Sequence, residues 1–120
     1  MLPRALALSC RACERLLGKT FPVCGDEQPW DLLPRDNQVA CAAALARCDI
    51  AELDTGEGKT LSAAVAAACL SLVGRVHVVT ANDYLARRDR EWMGPLFDEL
   101  GVGVGLVHHD LPAEERRQAY

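Results

Sequence analysis

An α/β fold, with a parallel sheet covered by helices on both faces, is predicted by the order of apolar patterns along the chain and by the residues available for a core. Short apolar runs at 50–53, 76–80 and 102–107 alternate with segments of helical spacing, giving strand, helix, strand, helix, strand, helix. Such alternation implies right-handed crossovers, with ligand bound at the carboxyl ends of the strands. Aromatic residues are only 5% of a composition that is 50% hydrophobic, so Ala, Leu and Val must fill the interior, the usual filling of a buried parallel sheet.

Taken in order, residues 3–17 space Leu and Ala in a helical pattern with Arg and Glu between them, and Gly18 stops that helix. From 21 to 34 the density of Pro, Gly, Asp and Gln indicates a loop or linker. Asp36 or Asn37 caps a second helix, 38–47, which leads into the first strand at 50–53. A third, Ala-rich helix runs over 59–72 and ends near Gly74. The Val-rich run 76–80 reads as a buried strand. Asn82 or Asp83 caps a fourth helix, which Gly94 and Pro95 are expected to interrupt before 96–100 continue it. Residues 102–107 form a third strand with Gly at alternating positions, and 112–118 begin a last helix.

With 120 residues the chain has room for one domain, burying roughly two thirds of the surface its unfolded form exposes. The net charge of -4 argues against a free-standing nucleic-acid binder, whose affinity rests on clustered Lys and Arg. The longest uncharged stretch, 60–74, has 15 residues, short of the roughly 20 that a membrane-spanning helix needs. Arg11 and Arg15 follow the brief apolar run near the start, which does not resemble a secretory leader, so a cytosolic location is expected. There the six cysteines would be reduced, and most read as small apolar packing residues. Cys10 and Cys13 form a C-x-x-C pair that lacks a second pair or a nearby His to complete a metal ligand set.

The chemistry is concentrated at Thr55-Gly56-Glu57-Gly58-Lys59-Thr60. A strand that turns through Gly56 and Gly58 directly into a helix offers backbone N–H groups and the positive end of a helix dipole to a triphosphate. Lys59 would reach the terminal phosphates, and the Thr60 hydroxyl would ligate a magnesium ion bridging them. Leu53 stands where the strict phosphate-loop pattern has its first Gly, but the strand before the loop and the long helix after it supply the context the motif demands. Upstream, a Gln amide can both accept from and donate to adenine, and Gln38 is placed for this; a Gln at a helix start is also a common solvated cap residue. His108 and His109 read as turn residues, Trp30 and Trp92 as packing anchors, and Arg87 and Arg88 as solvated side chains paired with nearby acids.

Three stretches together resemble a known family. Ala51-Glu52-Leu53-Asp54-Thr55-Gly56-Glu57-Gly58-Lys59-Thr60, His77-Val78-Val79-Thr80-Ala81-Asn82-Asp83-Tyr84-Leu85-Ala86-Arg87-Arg88-Asp89 and Glu91-Trp92-Met93-Gly94-Pro95-Leu96 are similar to the first nucleotide-binding domain of SecA, the bacterial preprotein translocase ATPase. The likeness runs from about Gln38 to Tyr120, taking in His109-Asp110 and Glu114-Glu115-Arg116-Arg117, and divides the chain into an N-terminal helix and linker, 1–37, and a partial nucleotide-binding domain, 38–120. The resemblance implies a RecA-like, helicase-type P-loop NTPase fold with an incomplete sheet. It places Gln38 as the adenine contact, Thr55, Gly56, Glu57, Gly58 and Lys59 as the phosphate loop, Lys59 as the catalytic residue and Thr60 as the magnesium-side hydroxyl, with ATP and magnesium as cofactors. It implies a membrane translocation channel and an unfolded preprotein as partners, a position at the inner face of the cytoplasmic membrane, and no nucleic acid. Leu53 is no departure, since the family carries an apolar residue there. Pro34-Arg35-Asp36-Asn37 is a departure: the family has an aromatic residue shortly before the Gln.

Hydrolysis by such motors needs an acidic pair on a later strand and an Arg from a second domain, and neither is visible in the sequence. The chain is therefore expected to bind nucleotide without being catalytically complete, needing the remaining motor domains or a partner that supplies them. A helicase-type ATPase fragment driven by nucleic acid and a non-catalytic nucleotide-binding module are the alternatives. An open sheet edge is also expected, and with it self-association.

Overall fold

The computed structural model describes residues 1–120 as five helices and one hairpin: α1 (Leu2–Leu16), β1 (Thr20–Val23), β2 (Asp26–Pro29), α2 (Asp36–Ala46), α3 (Lys59–Ser71), α4 (Asp83–Glu99) and α5 (Ala113–Ala119). The helices fall where their periodicity predicts them, but neither Asp36 nor Asn37 caps α2: both lie in its first turn and Arg35 is the N-cap. Gly18, at φ 75°, takes the left-handed turn after α1. Asn82 caps α4, its side-chain oxygen accepting the Leu85 N–H at 2.9 Å.

Helix α3 is the centre of the molecule. Leu61, Ser62, Ala64, Val65, Ala66, Ala67, Ala68 and Cys69 are all buried, so it is apolar around most of its circumference, as a helix enclosed on several sides must be. Helices α1, α2 and α4 pack around it. Its small side chains let those neighbours approach closely, and the larger ones come from outside: Leu16 and Trp30 from the N-terminal segment, Met93, Leu96 and Phe97 from α4. Trp30 is the packing anchor expected of it, buried, with its indole N–H satisfied by Leu32 O at 2.9 Å. The N-terminal helix and the hairpin thus share one core with the rest of the chain.

Three expectations are corrected. The segment 21–34 contains an antiparallel hairpin, with Thr20 opposite Pro29 and Val23 opposite Asp26. Its two-residue turn is Cys24-Gly25, at φ 52° and 90°, the pair of left-handed conformations that matches the twist of the flanking strands. Gly94 and Pro95 do not interrupt α4, which runs unbroken for 17 residues; Met93, Pro95, Leu96 and Phe97 are buried, and that packing offsets the one backbone bond Pro95 removes. The cysteines divide: Cys13 and Cys69 are buried and Cys10 and Cys41 half-buried, whereas Cys24 and Cys48 are exposed, both at left-handed turn positions rather than in the core.

The largest difference concerns the sheet. The hairpin is the only sheet, and 50–53, 76–80 and 102–107 are not hydrogen-bonded to one another. The chain is α/β in content, but the parallel sheet is absent from this structure. Segments 74–83 and 102–107 instead line a cleft of about 740 Å³ together with Ala63, Ala64 and Ala67 of α3 and Met93 and Phe97 of α4. Paired strands lie roughly 4.8 Å apart and exchange backbone hydrogen bonds, and these segments make none with each other. Consequently apolar side chains read as buried stand in solvent: Ile50 is 100% exposed and Val79 90%.

Candidate phosphate-binding loop

The loop between 53 and 59 closes on itself. Glu57 N–H donates to Asp54 O at 3.2 Å, and Gly56 and Gly58 both adopt left-handed conformations, at φ 84° and 80°. Gly58 is also the N-cap of α3, so the chain passes from the turn straight into a helix whose first N–H groups have no helical partner. A Cβ on Gly56 would meet open space, whereas one on Gly58 would overlap the Gln38 side-chain amide. Gly58 is therefore required twice, by conformation and by proximity. Lys59 is not turned away: its ammonium donates to Asp54 O at 2.9 Å, so the side chain reaches back over the loop from its end to its beginning. Thr55 is exposed, and Thr60, half-buried on the first turn of α3, lines the near end of the cleft.

Gln38 is brought to this loop although it lies 20 residues earlier than Gly58. It is 5% exposed and uses both ends of its amide. Its oxygen accepts the Arg35 N–H at 2.8 Å, the reach-back of a residue in the first turn that satisfies the start of α2. Its amide nitrogen donates to Glu57 O at 2.9 Å and lies 3.5 Å from Gly58 O. The expected adenine contact therefore touches the phosphate loop directly, which spacing alone does not reveal.

Two further residues join them; the sequence marks neither as part of this site, and Asn37 only as a candidate helix cap. Asn37 donates its side-chain amide to the Glu57 carboxylate at 2.7 Å. The Arg35 guanidinium donates to Glu57 O at 3.3 Å and stands 3.9 Å from the Glu57 carboxylate. Both lie in the stretch that departs from the family's aromatic pattern, and that departure is the only signal the sequence held of them.

The remaining polar residues lie apart from the loop. Arg88 pairs with Asp89 at 2.6 Å, as expected of a residue beside an acid, and Arg87 is exposed. His109 is a turn residue, yet a bonded one. Its ring Nδ1 meets the Asp83 carboxylate, its backbone N–H donates to the same carboxylate at 3.1 Å, and Nε2 lies 3.0 Å from Asp110. The hydrogen bond that the ring donates to Asp83, and next the charge of Asp110, raise the His109 pKa above its ordinary value. The same ring and backbone bonds lower that of Asp83.

A glycine turn with two left-handed residues, opening into a buried helix and crossed by a Lys side chain, is what the candidate phosphate loop presents in a chain of α/β content. The family model of the SecA DEAD-like domain matches residues 1–120. The chain belongs to that family, and the likeness takes in α1 and the hairpin as well as the segment from Gln38 onward. Among curated relatives, proteins called protein translocase subunit SecA are 45% identical over 120 residues in Chlorobium phaeovibrioides, 45% over 121 in Pelodictyon phaeoclathratiforme and 44% over 121 in Chlorobaculum tepidum. These alignments cover 99–100% of this chain and 12% of each relative. No helix is long and apolar enough to cross a membrane.

Proposed function

We propose that this chain is the ATP-binding part of a SecA-like motor that couples ATP hydrolysis to preprotein export across the cytoplasmic membrane, and that it is not catalytically complete by itself. The observation that carries the reading is the turn at Gly56 and Gly58, which frees backbone N–H groups at the start of α3 while Lys59 lies over it. With nucleotide bound, Lys59 would hold the terminal phosphates, and the segment Thr55 to Lys59 would supply enclosing backbone amides, the Glu57 N–H being the one already given to Asp54 O. Gln38 reads adenine once its amide is released from Glu57 O. The donor set suits magnesium with bound nucleotide: Thr60 supplies one neutral oxygen, and the phosphates supply the charged ones. Magnesium there would supply positive charge that neutralises the phosphates.

In this reading 50–53, 76–80 and 102–107 are strands of a RecA-like parallel sheet that is completed in the longer polypeptides the relatives represent, and 38–120 is the nucleotide-binding portion preceded by a helix and hairpin. The partners are the membrane translocation channel, the unfolded preprotein and the remaining motor domains, and the place of action is the cytoplasmic face of the membrane. The acidic charge and the Glu91-Trp92-Met93-Gly94-Pro95-Leu96 stretch disfavour nucleic acid as the polymer.

Titration of a fluorescent ATP analogue, with and without magnesium, tests the assignment. Lys59→Ala should weaken binding at least tenfold, as loss of a charge-assisted contact to phosphate does. Equal affinity of the two proteins removes the phosphate-loop assignment, and steady hydrolysis by the purified chain that disappears in the variant overturns its catalytic incompleteness.

A further inference from the structure

We infer that Arg35 and Asn37 are positioning residues of the nucleotide site, forming a clamp on Glu57 that holds its negative charge away from the phosphates and fixes the loop's backbone for them. The inference rests on the phosphate-loop reading and adds to it two residues from the start of α2.

Glu57 poses an electrostatic difficulty. It lies inside the loop that must receive a polyanion, between the two glycines whose conformation exposes the amides. A free carboxylate there would repel the ligand, because unit charges several ångströms apart at a protein surface interact by an energy that matters to affinity. The structure shows where that carboxylate goes. Asn37 holds one oxygen at 2.7 Å, and the Arg35 guanidinium stands 3.9 Å from the same oxygen. Both partners sit at the first turn of α2, so the charge is drawn toward that helix start, where the α2 dipole also favours it.

The same residues fix the peptide. Glu57 O receives Gln38 Nε2 at 2.9 Å and Arg35 Nη2 at 3.3 Å, so this carbonyl is committed toward α2. A peptide whose C=O is held on one side presents its N–H, which belongs to Gly58, on the other. The clamp therefore acts on both halves of the problem, turning an acid out and an amide in. It also ties base to phosphate. Gln38 cannot leave Glu57 O for a purine without handing the carbonyl to Arg35 alone, so occupancy of the base position and the shape of the loop are linked through one oxygen. Asn37 carries most of the side-chain hold, since its bond is short and the Arg35 contact is long and exposed.

The test is a charge-reversible pair of variants in the full chain, read by titration with fluorescent ATP, ADP and AMP analogues, with Lys59→Ala measured alongside. Asn37→Ala should weaken ATP binding about fivefold, ADP less and AMP least, because the released carboxylate acts through phosphate charge. Adding Glu57→Gln to Asn37→Ala should restore ATP affinity to within about twofold of the wild type, since the repelling charge is gone. Unfolding midpoints of the same proteins keep a folding defect separate, and a mere loss of structure would not be rescued by Glu57→Gln or graded by phosphate number. If the wild type binds ATP, Lys59→Ala weakens it at least tenfold and Asn37→Ala changes nothing, the clamp is wrong and the phosphate loop stands. If Lys59→Ala has no effect either, the underlying reading has failed first. Equal weakening for ATP and AMP, unrescued by Glu57→Gln, also overturns the clamp.

Discussion

Replacing Gly58 by Ala isolates the contact on which the loop's shape depends. Two costs arise from the structure. Gly58 sits at φ 80°, where a residue with a Cβ loses roughly 1–2 kcal/mol. The added Cβ would overlap Gln38 Nε2, so the amide must withdraw from Glu57 O, and a buried hydrogen bond of about 1 kcal/mol goes with it. The sum is about 2–3 kcal/mol. Gly56→Ala is the internal control, because Gly56 shares the left-handed conformation at φ 84° but has nothing within 4 Å of the new Cβ; it should cost only the conformational part, roughly 1–2 kcal/mol. In urea unfolding followed by far-ultraviolet circular dichroism, Gly58→Ala should lower the midpoint by on the order of 1 M, clearly more than Gly56→Ala. In a Gln38→Ala background the excess should shrink by about 1 kcal/mol, because no amide remains to be displaced. Identical midpoints for Gly56→Ala and Gly58→Ala would refute the reasoning, as would an excess that survives removal of the Gln38 side chain.

Two further outcomes follow from other parts of the molecule. The raised His109 pKa means that this contact's stability is complete below the ordinary 6.5 and is lost as pH rises through the folded value, while the lowered Asp83 pKa means that its share is present above the ordinary 3.8 and lost as pH falls through the folded one. The pair should therefore hold most firmly between pH 3.8 and 6.5. In a proton NMR titration of the His109 ring, Asp83→Asn should move the midpoint down, and an unmoved midpoint counts against the contact. The exposed, unpaired run at 76–80 should promote self-association, and Val79→Lys should shift sedimentation toward the monomer; a wild type that is already a sharp monomer at high concentration contradicts this.

What the sequence made legible follows from what each element needs. The helices are local: their periodicity, Gly18 and the Asn82 cap lie within one segment, so their bonds are made wherever the rest of the chain goes. A strand is completed by another strand, and three short apolar runs cannot reveal which neighbours they have; all three remain unpaired, and 76–80 and 102–107 line the cleft. The hairpin was hidden for a different reason. Pro22 and Pro29 lie within its strands, where Pro normally argues against pairing, and a two-residue strand or linker signal there is carried by Gly25 alone. At the site, the glycines, Lys59 and Thr60 were readable because they are contiguous. Arg35 and Asn37 were not, since their partner Glu57 lies 20 or more residues away and no spacing rule joins the end of a linker to the middle of a glycine turn.

These two facts, an unpaired strand segment and a helix start tied to the loop, bear on each other. A phosphate loop is ordinarily suspended between a strand that fixes where it begins and a helix that fixes where it ends. Here α3 fixes the end through a buried core, but 50–53 makes no backbone hydrogen bond and Ile50 lies wholly in solvent, so the strand side contributes little. The hold on the loop from outside α3 comes from α2 instead, through Gln38, Asn37 and Arg35 acting on one residue, Glu57. Helix α2 in turn packs on α3, so the three side chains are aimed from a base that shares the core of the helix they serve. The order of the loop in this chain therefore depends on the packing of α2 against α3 more than on a sheet. Loosening that packing, for instance at fully buried Ala42, would release the loop even though every residue of the loop itself were unchanged.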